Sequence, residues 1–341
     1  IGPTYDSGNF PALLRHATKL AKYEDFDSRR VDTEKLGRLR GIGIATFVES
    51  SGIAPSRFAG ALGARVATFE AAHIRVNEDG TILAMLGTHN HGQGHTTTFS
   101  QILSDRLGIS LSNIEIVEGD TSKVPRGTGT FGSRSIAVGG SALHLAANKI
   151  IDKGVKIAAH LLETSTSDIH FTNGEYHVSG TDRKISFQKI SKAANAPFAL
   201  PTEIEPGLDE NAFYDPSNFA FSNGTHVAEV EIDPETGFIK LLNYVAVDDI
   251  GTIINPMIVE GQIHGGLAQG IGQVLMENCS YDPKNGQLLS GSFLDYALPR
   301  ADTIPEIISE FDQNYPCTHN PIGAKGVGES GAIGAPAAIT G

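Results

Sequence analysis

The feature that most constrains the fold is a pattern that occurs twice along the chain: a β-hairpin, a loop with a Gly-Gln step, and an apolar helix. Each hairpin is predicted from two strand-like runs around a turn, and each helix from apolar residues at helical spacing. We interpret the pattern as a tandem structural duplication; the alternative is chance, since hairpins followed by helices are common. Mixed strands and helices predict an α+β fold of duplicated mixed-sheet-plus-helix units. The segments are strands 72–76 and 82–87 with Gly92-Gln93, and strands 227–232 and 238–247 with Gly261-Gln262.

The rest of the chain is organised around these two copies. A helix is predicted over residues 10–23, with Asn9 as its cap, and a charged, exposed connection follows it. Residues 195–224 contain several prolines and little periodicity, which predicts a long connection. Because the chain starts with isoleucine and ends on what looks like the opening of a helix, we expect a piece of a longer polypeptide; natural trimming is the alternative. The predicted domains are a helix and connection (1–40), a first α+β repeat (41–200), a linker (201–225) and a truncated second repeat (226–341).

Composition excludes several classes of protein. The chain has 26 basic and 39 acidic residues, a net charge of −13, which argues against a nucleic-acid-binding protein. Cys279 and Cys317 are its two cysteines, too few for a disulfide scaffold, a cysteine zinc site or an iron–sulfur cluster bound by this chain alone. No apolar run reaches the roughly 18–20 residues of a membrane span, and no leader is evident, so we expect a cytoplasmic protein.

The first candidate site is the loop His89–His95, which holds three histidines and a Gly-Gln-Gly step. Three histidines in seven residues suit a metal ion. Glycines on both sides of Gln93 instead favour a backbone cradle, because bare backbone approaches a flat or phosphorylated ligand closely. A plain polar loop is the third interpretation, and the residues alone leave all three open.

A second glycine-rich segment, Gly127–Ser135, combines hydroxyl groups with the single arginine Arg134. Such a set of polar groups suits an anion or a pterin-like ligand with many polar edges. A glycine-rich surface loop is the alternative.

A third segment, Gly323–Gly331, presents one carboxylate, Glu329, between glycines. Its GxGxxG spacing does not predict a dinucleotide site, because no clear strand precedes it and the chain ends before the expected acidic partner. Lys325 precedes the glycines, which excludes a Walker loop. The segment also lacks the second glycine that a nucleophile elbow requires. A glutamate on bare backbone could reach a substrate as a general base, and an exposed turn glutamate is the alternative.

Taken together in this order, the three segments and Gly261-Gln262 resemble the molybdenum hydroxylases: the molybdopterin-binding large subunits of xanthine dehydrogenase, aldehyde oxidase and aerobic carbon monoxide dehydrogenase. The resemblance runs over nearly the whole chain and corresponds to the second cofactor-binding lobe. It implies Glu329 as the catalytic base and no protein ligand to the metal. The cofactor-binding residues that it implies are Gly92, Gln93, Gly94, His95, Thr130, Gly132, Ser133, Arg134, Ser135 and Gln262.

The resemblance also implies a reaction and a set of partners. An aldehyde, an N-heterocycle or a similar small substrate would be hydroxylated with oxygen from water, and electrons would leave through partner centres. The implied cofactor is a molybdopterin-type molybdenum cofactor, in its cytosine dinucleotide form. A first molybdenum-binding lobe and iron–sulfur and FAD domains or subunits would be partners. The cofactor would carry out the chemistry, and the protein would supply orientation and electrostatics.

Two alternatives belong to other classes. One is a folded lobe without independent activity. We also expect the chain alone to be inactive and not to retain its cofactor, because half a binding surface encloses little of a ligand. The other alternative is an enzyme that holds a metal with His89, His91 and His95.

Overall fold

Two units divide the chain, and neither is contiguous in sequence. The computed structural model describes residues 4–53 and 55–341. The first unit contains Gly52–Phe219 and Thr318–Gly323. The second contains Thr4–Ser51, Ala220–Cys317 and Ala324–Gly341. The N-terminal helix and first strand therefore belong with the second half of the chain, whereas the sequence predicted domains that follow one another.

Helices and strands alternate in mixed order in both units. The α-helices are α1 (Phe10–Leu20), α2 (Phe26–Glu34), α3 (Ser56–Ala61), α4 (His95–Leu107), α5 (Ser141–Leu161), α6 (Phe187–Asn195), α7 (Pro256–Leu275) and α8 (Ser330–Thr340). The strands are β1 (Leu39–Val48), β2 (Glu70–Val76), β3 (Ile82–Leu86), β4 (Ile114–Val117), β5 (Ile169–Thr172), β6 (Glu175–Val178), β7 (Lys184–Ser186), β8 (Leu208–Tyr214), β9 (Asn223–Ile232), β10 (Ile239–Asp249) and β11 (Ile307–Asp312).

The first unit is built on a four-stranded sheet in the order β4-β3-β2-β8. Strand β2 is antiparallel to β3 and β8, and β3 is parallel to β4. Helix α5 packs on β2 and β8, and a small sheet, β5-β6-β7, lies beside it. A Cβ at Gly154 in α5 would lie 1.9 Å from the Tyr176 hydroxyl of β6, so only glycine allows this close packing.

The second unit repeats this topology with the sheet order β1-β9-β10-β11. Strand β9 is antiparallel to β1 and β10, and β10 is parallel to β11. Its core lies between the sheet and α7 and α8, around Tyr244, Ile263 and Leu267. Helix α8 lies close against β1, because a Cβ at Gly43 would be 2.1 Å from the Ala338 carbonyl oxygen.

The two sheets therefore share one plan: a hairpin, a helix, a strand parallel to the second hairpin strand, and then a glycine-rich loop that leads into another helix. In the first unit these elements are β2, β3, α4, β4 and α5, and in the second they are β9, β10, α7, β11 and α8. The predicted α+β fold of duplicated mixed-sheet-plus-helix units is confirmed. The loops before α5 and α8, which contain Arg134 and Glu329, occupy the same position in this plan.

Four local predictions are corrected. The segment 24–40, expected to be a connection, contains α2 and the start of β1. The segment 195–224 contains β8, which pairs with β2, and the first residues of β9. The glycine-rich segment Gly127–Ser135, for which a loop was one interpretation, ends at the start of a π-helical turn, Ser135–Gly140. Residues 261–266 lie inside α7, because that helix already begins at Pro256 with Asn255 as its cap. No helix in the described ranges has the length and apolar character needed to cross a membrane.

Candidate cofactor and catalytic site

The loop His89–His95 ends directly at the start of α4. Gly92 and Gly94 have φ values of +108° and +83°, a backbone region that favours glycine. Within the described residues no side chain caps α4 at its N-cap, Gly94. The first backbone N–H groups of a helix have no intrahelical acceptor and carry partial positive charge, so this end suits an anionic or polar ligand.

Gln93 stabilises the shape of its own loop. Its Oε1 accepts a hydrogen bond from the His91 backbone N at 2.7 Å, and its Nε2 donates to the His89 carbonyl at 3.0 Å. A Cβ placed on Gly92 would meet nothing within 4 Å, so one side of the loop faces open space. Hydrogen bonds of Gln93 thus hold the loop, and its backbone at Gly92 stays accessible, as a backbone cradle requires.

His95 is a helix residue whose ring points into the protein. It is buried, and its Nδ1 lies 3.0 Å from Oε1 of Glu118, which also accepts a hydrogen bond from the Thr88 hydroxyl at 2.5 Å. The rings of His89 and His91 stack on each other with centroids 5.7 Å apart. In residues 4–53 and 55–341, the ring nitrogens of the three histidines do not come close enough to share a metal ion. The geometry therefore gives the histidine-metal alternative no support.

The second predicted segment, Gly127–Ser135, lies against the first. The Thr130 hydroxyl accepts a hydrogen bond from the His89 backbone N at 2.9 Å and is 2.8 Å from the Ser135 hydroxyl. Gly129 N donates to the Gly87 carbonyl at 3.0 Å. The structure thus brings the first two predicted segments together in one unit.

Arg134 has a different position from the one expected of an anion-binding residue. Its side chain is fully buried, and its guanidinium donates to Glu70 Oε2 at 2.6 Å, to the Gly129 carbonyl at 2.7 Å and to the Thr68 carbonyl at 2.6 Å. A guanidinium that has these partners holds the loop on the end of β2, where Glu70 is the first residue. Its effect on a ligand would therefore be indirect.

Gly132 and Ser133 form the turn of this loop. Gly132 has φ +56°, and a Cβ there would lie 2.0 Å from the Ile53 side chain. Ser133 adopts φ +52°, which is uncommon for a residue with a Cβ and is found at turns and functional sites. Gly132 also accepts a hydrogen bond from Gly52 N at 2.9 Å. The turn conformation is consequently set by contacts on its inner side.

Glu329 lies in the second unit at the N-cap of α8. It is exposed, and its carbonyl accepts a hydrogen bond from Ile333 N at 3.1 Å, which begins the helix. The next residue, Ser330, is buried, and its hydroxyl is 3.5 Å from Glu49 Oε2. A Cβ at Gly331 would lie 2.5 Å from the Ile263 carbonyl oxygen of α7. Glu329 therefore stands at the edge of a closely packed helix pair.

Gln262 lies in the helix α7, half-buried, and not in a loop as expected. Its neighbour Ile263 is the residue against which α8 packs at Gly331. That Gln262 binds the cofactor remains a prediction, and its side chain would reach the cofactor from a helix and not from a loop.

Lys325 and Asp249 form an ion pair that none of the sequence motifs indicates. Both side chains are fully buried, and Lys325 Nζ lies 2.8 Å from Asp249 Oδ2. Burial raises the pKa of the Asp249 carboxyl above its ordinary value, and the ammonium of Lys325 partly offsets this effect. No local signal in the sequence links residues 76 positions apart.

Comparison with known proteins now identifies the class. A family model described as the molybdopterin cofactor-binding domain matches residues 16–305. The carbon monoxide dehydrogenase large chain of Hydrogenophaga pseudoflava is 40% identical over 98% of this chain. The nicotine 6-hydroxylase large subunit of Paenarthrobacter nicotinovorans is 38% identical over 99%. This chain spans 41% of the length of each relative.

Solved structures agree with this class. Carbon monoxide dehydrogenase from Oligotropha carboxidovorans superposes with a TM-score of 0.92 at 37% identity, over 99% of this chain and 42% of that one. Quinoline 2-oxidoreductase from Pseudomonas putida 86 gives a TM-score of 0.92 at 35% identity, over 99% of this chain and 43% of that one. The fold is thus that of a molybdopterin cofactor-binding domain. The chain belongs to the molybdopterin cofactor-binding domain family, and the resemblance to the molybdenum hydroxylases is confirmed.

Proposed function

We propose that this chain is part of a molybdenum hydroxylase, an oxidoreductase that hydroxylates a small substrate with oxygen from water, and that Glu329 is its general base. The observation that carries the proposal is the position of Glu329: an exposed carboxylate at the start of α8, on a loop that buried contacts hold in place. A base must lie within hydrogen-bond reach of the proton that it takes, and a carboxylate on a rigid support meets that need.

The residues of the first unit fit a molybdopterin-type cofactor. Gly92 leaves open space beside the uncapped start of α4, and hydrogen bonds with the His89 backbone connect both Gln93 and the Thr130 hydroxyl to this loop. We propose that backbone amides of this loop, together with Gly132, Ser133 and Ser135, hold the cofactor. The cofactor, when bound, would supply the two-electron redox chemistry.

Within this arrangement the protein side chains have separate tasks. Glu329 accepts a proton at its carboxylate, and Gln93 keeps the binding loop in its open conformation. His95 and Arg134 act from buried positions, through Glu118 and Glu70, and so orient backbone and not ligand. Gln262 is proposed as a further contact from α7.

The substrate and partners are proposed at the level of class. The matched proteins are named for carbon monoxide, nicotine, quinoline and aldehyde, which supports a small substrate such as an aldehyde or an N-heterocycle. We propose that a first molybdenum-binding lobe, and iron–sulfur and FAD domains or subunits, complete the enzyme. The cytosine dinucleotide form of the cofactor and a cytoplasmic location belong to the same proposal.

The test is Glu329→Gln in the assembled enzyme. Glutamine keeps the shape of the side chain and cannot accept the proton, so the rate of metal reduction by substrate, divided by molybdenum content, should fall by roughly 10²–10⁴. Molybdenum content should not change. Metal reduction at the wild-type rate in this variant would remove Glu329 from the mechanism.

A further inference from the structure

The loop that carries Glu329 is anchored by a buried ion pair that none of the sequence motifs predicted. Lys325 Nζ and Asp249 Oδ2 are 2.8 Å apart, and both side chains are fully buried. Removing an ammonium and a carboxylate from water is unfavourable, and apolar replacements of such pairs are often neutral or stabilising. Stability alone therefore does not explain why this position holds a lysine.

Asp249 ties this pair to the end of the sheet. It is the last residue of β10, and it also accepts hydrogen bonds from Asn223 Nδ2 at 3.1 Å and from Gly251 N at 3.0 Å. Asn223 is the first residue of β9, so the carboxylate joins both hairpin strands to the lysine. The ammonium is thus held at a defined point of the framework.

The backbone around Lys325 is fixed at the same place. Lys325 N donates to the Ile250 carbonyl at 2.9 Å, and Gly326 N donates to the Ser51 hydroxyl at 3.1 Å. Ser51 in turn donates to the Ala220 carbonyl at 2.8 Å. Helix α8 starts at residue 330, so only residues 327–329 lie between two fixed points. Glu329 is the last of these three.

We infer that Lys325 is a positioning residue, which acts through Asp249 to fix the short segment that presents Glu329. The inference rests on the proposed role of Glu329 as the base. It also has a counterpart in the first unit, where Arg134 and Glu70 anchor the loop at the corresponding place in the topology. The two anchors serve different tasks, because the loop of Arg134 is proposed to hold the cofactor and the loop of Lys325 to present the carboxylate.

The experiment compares two double variants in the assembled enzyme, Lys325→Met/Asp249→Leu and Arg134→Met/Glu70→Leu. Replacing both partners avoids an unpaired buried charge, which a single substitution would leave. Three quantities are measured: molybdenum content, substrate-dependent metal reduction per molybdenum, and hydrogen exchange of the amides at 326–329.

For the Lys325 pair we expect molybdenum content within twofold of wild type, metal reduction per molybdenum at least tenfold slower, and amide exchange at 326–329 at least tenfold faster. For the Arg134 pair we expect loss of molybdenum and unchanged exchange at 326–329. Wild-type exchange and wild-type reduction in the Lys325 variant would overturn the inference. Failure of that variant to fold would also overturn it, because the pair would then be a structural requirement.

Glu329→Gln separates this inference from the proposed function. If Glu329→Gln reduces the metal at the wild-type rate, the base assignment fails. Exchange at 326–329 still reports whether Lys325 fixes the segment, because it does not depend on turnover. If Glu329→Gln is slow while the Lys325 double variant is fully active, only the positioning role fails.

Discussion

Replacing Gly331 with alanine tests how closely Glu329 depends on the packing of two helices. Gly331 is the second residue of α8, and an added Cβ would lie 2.5 Å from the Ile263 carbonyl oxygen and 2.6 Å from Leu267 N. Ordinary contacts begin at 3.4 Å. Both of these atoms belong to the backbone of α7 and cannot rotate away as a side chain could, so α8 must move by about 1 Å.

The size of the effect follows from two opposing contributions. Overpacking of a core costs about 1–3 kcal/mol, and the better helix propensity of alanine returns up to about 1 kcal/mol. We therefore expect Gly331→Ala to lower the melting temperature. The same displacement moves Glu329, two residues away. If Glu329 is the base, as proposed, a shift of about 1 Å costs up to about 10² in rate.

The matched control is Gly265→Ala. Gly265 lies inside α7, is exposed, and an added Cβ there would meet nothing within 4 Å. This variant should keep its turnover and gain up to about 1 kcal/mol in stability from helix propensity. The assay is thermal melting and metal reduction per molybdenum in the assembled enzyme. A Gly331→Ala enzyme with wild-type melting and wild-type turnover would refute the packing argument.

Three further predictions concern the binding loop and the buried pair. Gln93→Ala removes two hydrogen bonds that hold the loop, so molybdenum binding should weaken by on the order of 1–3 kcal/mol. Unchanged molybdenum content would support the interpretation of residues 89–95 as a plain polar loop. His91→Ala should leave the metal content unchanged, whereas a histidine-bound metal would be lost from this variant. Lys325→Met removes the ammonium that pairs with Asp249. Burial already raises the pKa of the Asp249 carboxyl, so its neutral form tolerates the loss of the ammonium and its ionised form does not. The destabilisation should therefore grow from pH 5 to pH 8, and a drop in melting temperature that is equal at both pH values would contradict this.

Local patterns predicted much of the secondary structure because their signals lie within a few residues. Asn9 caps α1 as expected, its Oδ1 accepting from Ala12 N. Gly108 ends α4 in the left-handed conformation with φ +65°. Both helix ends depend on residues that are close in sequence, so the local sequence is enough to predict them.

The missed elements depend on partners that are distant in the chain. Strand β8 contains acidic residues and an asparagine, and it is a strand because it pairs with β2, which lies more than 130 residues earlier. Gly261, Gly265 and Gly266 made residues 261–266 of α7 look like a loop. In the structure Gly266 instead allows α8 to approach, since a Cβ there would lie 3.1 Å from the Ala332 backbone N. Tertiary packing, and not local propensity, decides both cases.

The candidate site likewise contains some features that local sequence predicts and others that depend on distant residues. The open loop at Gly92 and Gly94 could be predicted because positive φ values and exposed backbone belong to glycine itself. The roles of Arg134 and Lys325 could not be predicted, because a basic residue beside glycines looks the same in a sequence whether it faces a ligand or the interior. In each unit the buried cation lies within the glycine-rich loop, and its carboxylate lies at the end of the hairpin to which the loop returns. Glycine leaves a loop free to adopt an unusual path, and this freedom makes the loop mobile. A buried, directional ion pair restricts that freedom at one point and leaves the outer face of the loop bare, which is what the proposed cofactor cradle and the proposed base, Glu329, both require.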